Sequence, residues 1–164
     1  MKLFLTSRLI SGFVTCDVYD DTGLLLYVAR EQSVIKECLE IYDSQNIFLG
    51  SVKEDLSIKE GRKEDQTFLL WAGEVLLGTV RKEFPFWKLQ FASDNVIWTI
   101  EKRKQAAFPG GYTIFDENQK KLAGVSVKGA DMRIYTLELE TSHGLLPYIM
   151  AVLAIELSER CKSR

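Results

Sequence analysis

Apolar and polar residues alternate with a period of two over several short segments of the chain. The alternation is clear over residues 96–102, 125–128 and 133–140, which are rich in Val, Ile, Leu, Tyr and Trp. This period indicates strands that bury one face and expose the other to water. Helical periodicity is weak before residue 145. Residues 31–40 are the exception, since they fit a short helix and a strand equally well.

A hairpin unit of about 13 to 15 residues is written several times. Residues 18–30, 41–53 and 114–128 share an apolar residue, an aromatic residue, an Asp, a polar turn, an apolar strand and a cation. Residues 70–82 and 91–102 are degenerate copies. Because tight turns join consecutive strands in an antiparallel arrangement, the repeat predicts a series of hairpins.

The turn chemistry of the unit is specific. Asp20 and Asp43 can each accept a hydrogen bond from the backbone two residues further on, which starts a tight turn. Gly23 and Asn46 follow three residues later, where a type I turn with a bulge needs a positive φ. Two further turns are predicted, a two-residue turn at Asp94-Asn95 and a type II turn at Pro109-Gly110.

We expect one domain over residues 1–164, with about ten to twelve mostly antiparallel strands. The most polar stretch, residues 59–66, is predicted to be an exposed loop within this domain. A sheet of this size tends to curl, and closing it into a barrel removes the exposed edges. The predicted fold class is therefore mainly β, a closed antiparallel barrel.

The C-terminal segment has a different pattern. Residues 145–155 are apolar, and Pro147 is tolerated in a first helical turn. A helix that is apolar on all sides is buried on all sides, so we expect this helix to lie in the centre of the barrel. Its polar end, from Glu156 to Arg160, is expected to emerge into solvent. The residues predicted to pack in the barrel are Leu146, Ile149, Met150, Leu153 and Ile155.

Composition narrows the function classes. The formal net charge is −2 with both signs interspersed, which argues against a dedicated nucleic-acid-binding protein. Three widely spaced cysteines, Cys16, Cys38 and Cys161, form neither a disulfide framework nor a zinc motif. The N-terminal apolar run is too short for a secretory leader, and no apolar run is long enough for a transmembrane helix, so we expect a cytoplasmic protein.

The hairpins with Asp-x-x-Gly turns, followed by an apolar C-terminal helix, resemble the LURP-one-related family, which is grouped with the tubby C-terminal domains and the phospholipid scramblases. The resemblance extends over about residues 13–159 and is most specific in residues 18–28, 114–124 and 145–157. It implies a barrel of twelve strands around a central hydrophobic helix. It also implies contact with phospholipid or phosphoinositide headgroups. The cysteine-rich and proline-rich segments of the scramblases are absent.

The densest basic run is Lys102, Arg103 and Lys104, which could hold anionic lipid headgroups. The alternative is a solvated strand end. Arg160 and two cations of the C-terminal tail form a second basic run, which the dipole at a helix C-terminus would also favour. An aromatic cluster around Pro85 is interpreted as core or barrel rim; its members are Phe84, Phe86, Trp87 and Phe91.

No catalytic constellation is apparent. The single histidine, His143, has Ser142 beside it, but catalytic triads are assembled in space and the sequence has no Gly-x-Ser-x-Gly elbow. No glycine-rich nucleotide-binding motif occurs. The turn aspartates lack the spacing of a calcium-binding loop. We therefore expect no enzyme, no cofactor and no metal.

The leading hypothesis is a non-catalytic module that binds an anionic membrane surface or a protein partner. One alternative is a barrel that holds a small apolar ligand, which requires an open lumen. Another is an enzyme on a barrel, such as a triphosphate-tunnel hydrolase. The Glu-x-Glu-x-Lys strand of that family is missing here, since Glu138-x-Glu140 is followed by Thr and Ser and not by the lysine.

Overall fold

The computed structural model describes residues 1–32, 38–56, 66–83, 85–103, 110–140 and 144–161, of which Cys161 is described by its backbone alone. These residues form twelve strands and one helix. The elements are β1 (Lys2–Ile10), β2 (Phe13–Asp20), β3 (Leu25–Glu31), β4 (Cys38–Asp43), β5 (Phe48–Glu54), β6 (Thr67–Ala72), β7 (Val75–Glu83), β8 (Phe86–Phe91), β9 (Ile97–Lys102), β10 (Gly111–Phe115), β11 (Lys121–Lys128), β12 (Arg133–Leu139) and α1 (Leu145–Cys161).

The strands close into a barrel in which every strand pairs antiparallel with its neighbours in sequence. The circle is completed by β1 and β12, which pair from Lys2 with Glu138 to Ser7 with Arg133. Closure leaves no strand edge unpaired, as expected from the tendency of large sheets to curl. The predicted mainly-β class, the closed antiparallel barrel and the count of twelve strands are thus confirmed.

The predicted Asp turns are confirmed in their chemistry. Asp20 Oδ1 accepts hydrogen bonds from the backbone N–H groups of Thr22 and Leu24, at 2.9 and 3.0 Å. A hydrogen bond from the Thr22 hydroxyl and the one from Leu24 N–H lower the pKa of Asp20. Gly23 and Asn46 take positive φ values of 86° and 66°. A register shift follows in each hairpin, so that the turn is accompanied by the expected bulge.

One predicted turn is wrong in length. Asp94-Asn95 was predicted as a two-residue turn, but Phe91 N–H bonds to the carbonyl of Val96, which encloses four residues. Asn95 takes a φ of 58°, and Asp94 Oδ1 accepts from Val96 N–H at 3.1 Å. This turn also contains a left-handed residue, but Phe91 takes its leading position and Asp94 lies inside it. Pro109 and most of the predicted loop at 59–66 lie outside the described residues.

The connections divide the barrel into two unlike ends. The Asp-led turns and the short β6–β7 turn lie at one end, which we call the turn end. The β1–β2 and β11–β12 turns lie at the other end, together with the C-terminus of α1, and we call it the exit end. The β9 strand ends here at Lys102, and β12 begins here at Arg133.

Helix α1 fills the barrel. Every residue of α1 from Tyr148 to Ser158 is buried, so no face of the helix meets solvent along this length. Its contacts reach opposite parts of the wall: Tyr148 packs against Trp98 of β9 with ring centroids 4.7 Å apart, and Met150 approaches Gly50 of β5. Of the predicted residues, Ile149, Met150, Leu153 and Ile155 are fully buried, and Leu146 is partly buried against the core.

Burial of these side chains stabilises the fold strongly. Each fully buried aliphatic side chain contributes about 1.5–3 kcal/mol relative to an exposed one, before the entropy of ordering the chain is counted. The gap between α1 and the wall of β9 to β12, beside Val152 and Ile155, leaves no room for a water molecule. The helix therefore acts as the common core around which all twelve strands wrap.

The polar end of the helix does not emerge into solvent as expected. Glu156 and Ser158 are fully buried, and Arg160 is 5% exposed. The return of charged residues at this end predicted its exposure, because unpaired charges are costly to bury. The charges are tolerated because the barrel wall supplies partners for each of them.

Candidate functional site

The exit end is organised by a buried polar cluster on α1. Arg160 Nε donates to Glu156 Oε1 at 2.6 Å, one helical turn earlier. The hydroxyl of Tyr135 donates to the other carboxylate oxygen, and Arg133 Nη1 lies 3.5 Å from it. Two strand residues that are adjacent on the inner face of β12 therefore meet a carboxylate on the helix.

Arg160 also ties the helix to the ends of two neighbouring hairpins. Its Nη2 donates to the backbone carbonyls of Ser7 and Asp131, at 3.1 and 2.8 Å. Carbonyl acceptors and one carboxylate satisfy the planar, five-donor guanidinium in directions that a lysine could not reach together. The cluster fixes the depth of the helix in the barrel.

The pKa values of the cluster reflect burial and charge. Burial, followed by the Glu156 carboxylate, raises the pKa of Tyr135 far above its ordinary value. Partial burial lowers the pKa of Arg133, but the attraction of Glu156, together with that of Tyr135 and hydrogen bonds to both groups, outweighs burial and gives a net increase. Tyr135 is thus a neutral donor and Arg133 a permanent cation near neutral pH.

A pocket of about 210 Å³ opens at the exit end, between the helix and the rim. Lys102 and Arg133 bring cations to it, while Tyr112 and Glu159 bring a phenol and a carboxylate. Burial and the charge of Glu159 raise the pKa of Tyr112 to about 12. The pocket is thus of mixed charge, and its tyrosine is neutral near neutral pH.

A second feature lies on the outer wall of the barrel, where Arg103 folds back over β10 and β11. Arg103 Nε donates to Thr113 Oγ1 at 3.2 Å. Its Nη2 occupies the space that a Cβ at Gly124 would need, so only glycine at this outward position lets the guanidinium lie against the wall. Lys121 Nζ lies 3.6 Å from the same point.

Arg103 and Lys121 therefore place two cations side by side. Within the described part of the chain neither forms a salt bridge; the outward carboxylates in the same register row are Glu101, opposite Thr113, and Glu138, opposite Gly124, of which Glu138 pairs with Lys2 at 3.6 Å. Like charges at close range repel, and an anion between them reverses the sign of the interaction. Phosphate oxygens suit a guanidinium and an ammonium equally.

A groove of about 760 Å³ adjoins Arg103. Phe86, 37% exposed, and Phe115 give it apolar walls, and Lys102 and Glu101 lie at its polar side. We call Lys102, Arg103, Thr113, Lys121 and Gly124 the basic wall site.

The predicted lipid-contacting residues are separated by the structure. Lys102 is exposed at the rim, and Arg103 lies on the outer wall, so their side chains leave the strand end on different sides while both line the groove. Lys104, the third residue of the first basic run, lies outside the described residues. The same holds for Lys162 and Arg164 of the second basic run. Arg160 is buried in the cluster and is therefore not a surface cation, contrary to the sequence-based interpretation.

The aromatic cluster and the residues around His143 are only partly within the described residues. Trp87 is 4% exposed and belongs to the core, and Phe86 is at the rim, as the aromatic cluster predicted. Phe84, His143 and Ser142 lie outside the described residues. Among the described residues no group of three His, Cys, Asp or Glu side chains could hold a metal ion.

The sequence did not reveal Lys121, Thr113 or Gly124 as site residues. Lys121 stands in a Lys-Lys pair after an Asp-led turn and is typical of a solvated strand start. Its proximity to Arg103 depends on the pairing of Thr113 with Gly124, and no local pattern contains that information. For the buried polar cluster the sequence did contain a signal: the spacing of Glu156 and Arg160 fits an ion pair on a helix.

Charge differs between the two ends. At the turn end the described cations are few, Lys2, Lys120 and Lys121, and carboxylates outnumber them. These carboxylates are Asp20, Asp21, Asp43, Glu74, Asp94, Asp116, Glu117 and Glu140. Among the other described residues, cations and carboxylates are equal in number, eleven of each.

Comparisons with the models of known protein families, with curated proteins and with solved structures found no match. Among the described residues, no helix combines the length and the apolar character needed to cross a bilayer.

Proposed function

We propose that this protein is a non-catalytic module that binds anionic phospholipid surfaces. The observation that carries the proposal is the basic wall site, where Arg103 and Lys121 lie side by side next to a groove with an exposed phenylalanine. A phosphate headgroup between the two cations would relieve their repulsion and accept hydrogen bonds from both. The resemblance to lipid-contacting barrels motivates the same ligand.

The filled lumen supports this proposal over a barrel that holds a small apolar ligand. Such a barrel needs an internal cavity of several hundred Å³. Here the central space is taken by α1, and the gap beside Val152 has no room for water. Binding at the outer wall and the rim does not require the lumen.

We also propose a cytoplasmic location for the protein. The anionic lipids of cellular membranes are concentrated in the cytoplasmic leaflet, so a ligand of the proposed charge is available there. Cys16 and Cys38 are free thiols. Burial raises the pKa of Cys16 to about 12, which keeps it protonated and unreactive.

Sedimentation with vesicles tests the proposal. The protein should sediment with vesicles of phosphatidylcholine and phosphatidylserine at low salt, and not with phosphatidylcholine alone, because attraction between exposed charges is strongest at low ionic strength. The double variant Arg103→Gln/Lys121→Gln should bind about tenfold more weakly or worse, since each cation contributes about 1 kcal/mol near an anionic surface.

The double variant Arg81→Gln/Lys88→Gln is the matched control. It makes the same change in net charge, but both cations already pair with Glu83, at 3.6 and 2.9 Å. It should bind nearly as the natural sequence does. Failure of the unaltered protein to bind anionic vesicles at low salt, or equal losses in the two double variants, would refute the proposal.

A further inference from the structure

Two neighbouring hairpins carry exposed apolar side chains at the exit end. Leu9 and Ile10, at the end of β1, are 46% and 48% exposed, and Met132, in the turn before β12, is 51% exposed. Because β1 pairs with β12, the two turns lie side by side on the rim. We call these three residues the apolar tip.

The β1–β2 hairpin projects beyond the closed part of the barrel. Pairing between β1 and β12 stops at Ser7 with Arg133, whereas pairing between β1 and β2 continues to Ile10 with Phe13. A strand rises about 3.3 Å per residue, so the extension reaches about 10 Å past the rim. That length matches the depth of roughly 5–10 Å to which interfacial elements enter a bilayer.

The tip is held rigidly. Ser11 and Gly12 take φ values of 53° and 83°, which close the hairpin in a tight turn. Leu9 and Ile10 are part of the strand ladder, since they pair with Val14 and Phe13. Ordered side chains lose little further entropy when a membrane covers them.

Charges of both signs lie around the tip. Lys128 is exposed before the adjacent turn, and Asp131 is exposed in the same turn as Met132. Arg8, which precedes the tip, lies 3.9 Å from Asp17, and Arg133 points inward to Glu156.

Charge distinguishes this end from the turn end, which also exposes apolar side chains. Leu24, Ile47 and Val75 are 61%, 55% and 70% exposed, but they lie among the turn carboxylates. An anionic membrane repels that end, and the balanced charges of the other described residues produce no such repulsion. Apolar exposure alone would not choose between them.

We propose that the apolar tip enters the interfacial region of an anionic bilayer, so that the exit end faces the membrane and the turn end faces away. The inference rests on the proposed function, because it requires that the protein binds an anionic lipid surface. It adds an orientation and a depth, which headgroup binding does not by itself require.

An environment-sensitive fluorophore tests the orientation. Ile10→Cys and Val75→Cys are each made in a Cys38→Ser/Cys161→Ser background and labelled with a nitrobenzoxadiazole dye; the buried Cys16 does not react. Val75 is the matched control, as an exposed aliphatic residue beside a tight turn at the opposite end. The labelled proteins are mixed with phosphatidylcholine–phosphatidylserine vesicles that carry a nitroxide on the acyl chain.

The dye at position 10 should shift to shorter wavelength and be quenched by the nitroxide, and the dye at position 75 should do neither. If the protein sediments with the vesicles while position 10 stays unquenched, or while position 75 is quenched equally, the orientation is wrong and lipid binding stands. If neither labelled protein sediments with the vesicles, both proposals fail.

Discussion

Glu156 is a carboxylate in the middle of a hydrophobic barrel, and its neighbours decide whether the barrel can contain it. Arg160, Arg133 and Tyr135 provide a nearly complete set of donors. Removing one member of a buried ion pair is more damaging than removing the pair, because the remaining charge is left without compensation. The cluster therefore specifies the position of α1 more than it adds net stability.

The variant Glu156→Gln should lower the free energy of unfolding by about 3–5 kcal/mol, since it leaves Arg160 buried without its carboxylate. Urea denaturation followed by tryptophan fluorescence measures the change. Glu138→Gln is the control: it breaks an exposed salt bridge to Lys2 and should cost less than about 1 kcal/mol.

The triple variant Tyr135→Phe/Glu156→Leu/Arg160→Met, which also removes the hydroxyl that donates to Glu156, provides a further check; the partly exposed Arg133 can turn to solvent. Replacing a buried pair with apolar residues of similar volume is often neutral or stabilising, so much of the loss should be recovered. Equal destabilisation by Glu156→Gln and Glu138→Gln would show that Glu156 is not buried as described.

At the scale of elements, the Asp-led hairpin explains how the sequence forms a barrel. Each turn supplies its own acceptor, and a residue with positive φ closes it: Gly23, Asn46, Asn95 or Gln119. The residue types differ, but the backbone conformation is shared. Gly adopts it without strain, whereas the other residues carry a small cost.

Gly23→Ala should therefore destabilise the protein by about 1 kcal/mol, because alanine is strained at a φ of 86°. The equivalent substitution Asn46→Gly relieves the same strain and should be nearly neutral. Thermal unfolding of both variants measures the difference. An unchanged midpoint for Gly23→Ala, or a larger loss for Asn46→Gly, would contradict the turn geometry.

The local nature of these signals explains which parts of the fold could be predicted. Asp20 and Gly23 are three residues apart, so their turn is visible in the sequence, and the apolar residues of α1 reveal burial on all sides. The burial of Glu156 could not be predicted in this way. Its partner Tyr135 is 21 positions away, and the two meet only because the helix runs through the barrel beside β12.

The site was less predictable than the fold. Lys102 and Arg103 were identified as a basic run, but their opposite directions follow from strand geometry at the rim. The pairing of Arg103 with Lys121 depends on Gly124, whose missing side chain is informative only once the register of β10 and β11 is known. Surface sites that cross strands are encoded by register.

At the scale of the whole molecule, the barrel depends on α1 occupying the lumen. If the helix is the core of the barrel, its amides cannot exchange with solvent unless the barrel opens as a whole. Amide exchange that occurs only through global unfolding is typical of the most stable elements of a fold. A helix docked on the outside would instead open locally and exchange faster than the strands.

Hydrogen–deuterium exchange of the unmodified protein, read by mass spectrometry over peptides within residues 149–158, measures this most directly. We expect these amides to exchange as slowly as the slowest strand amides, at a rate set by global unfolding. Exchange of this segment within seconds, while the strands remain protected, would contradict it.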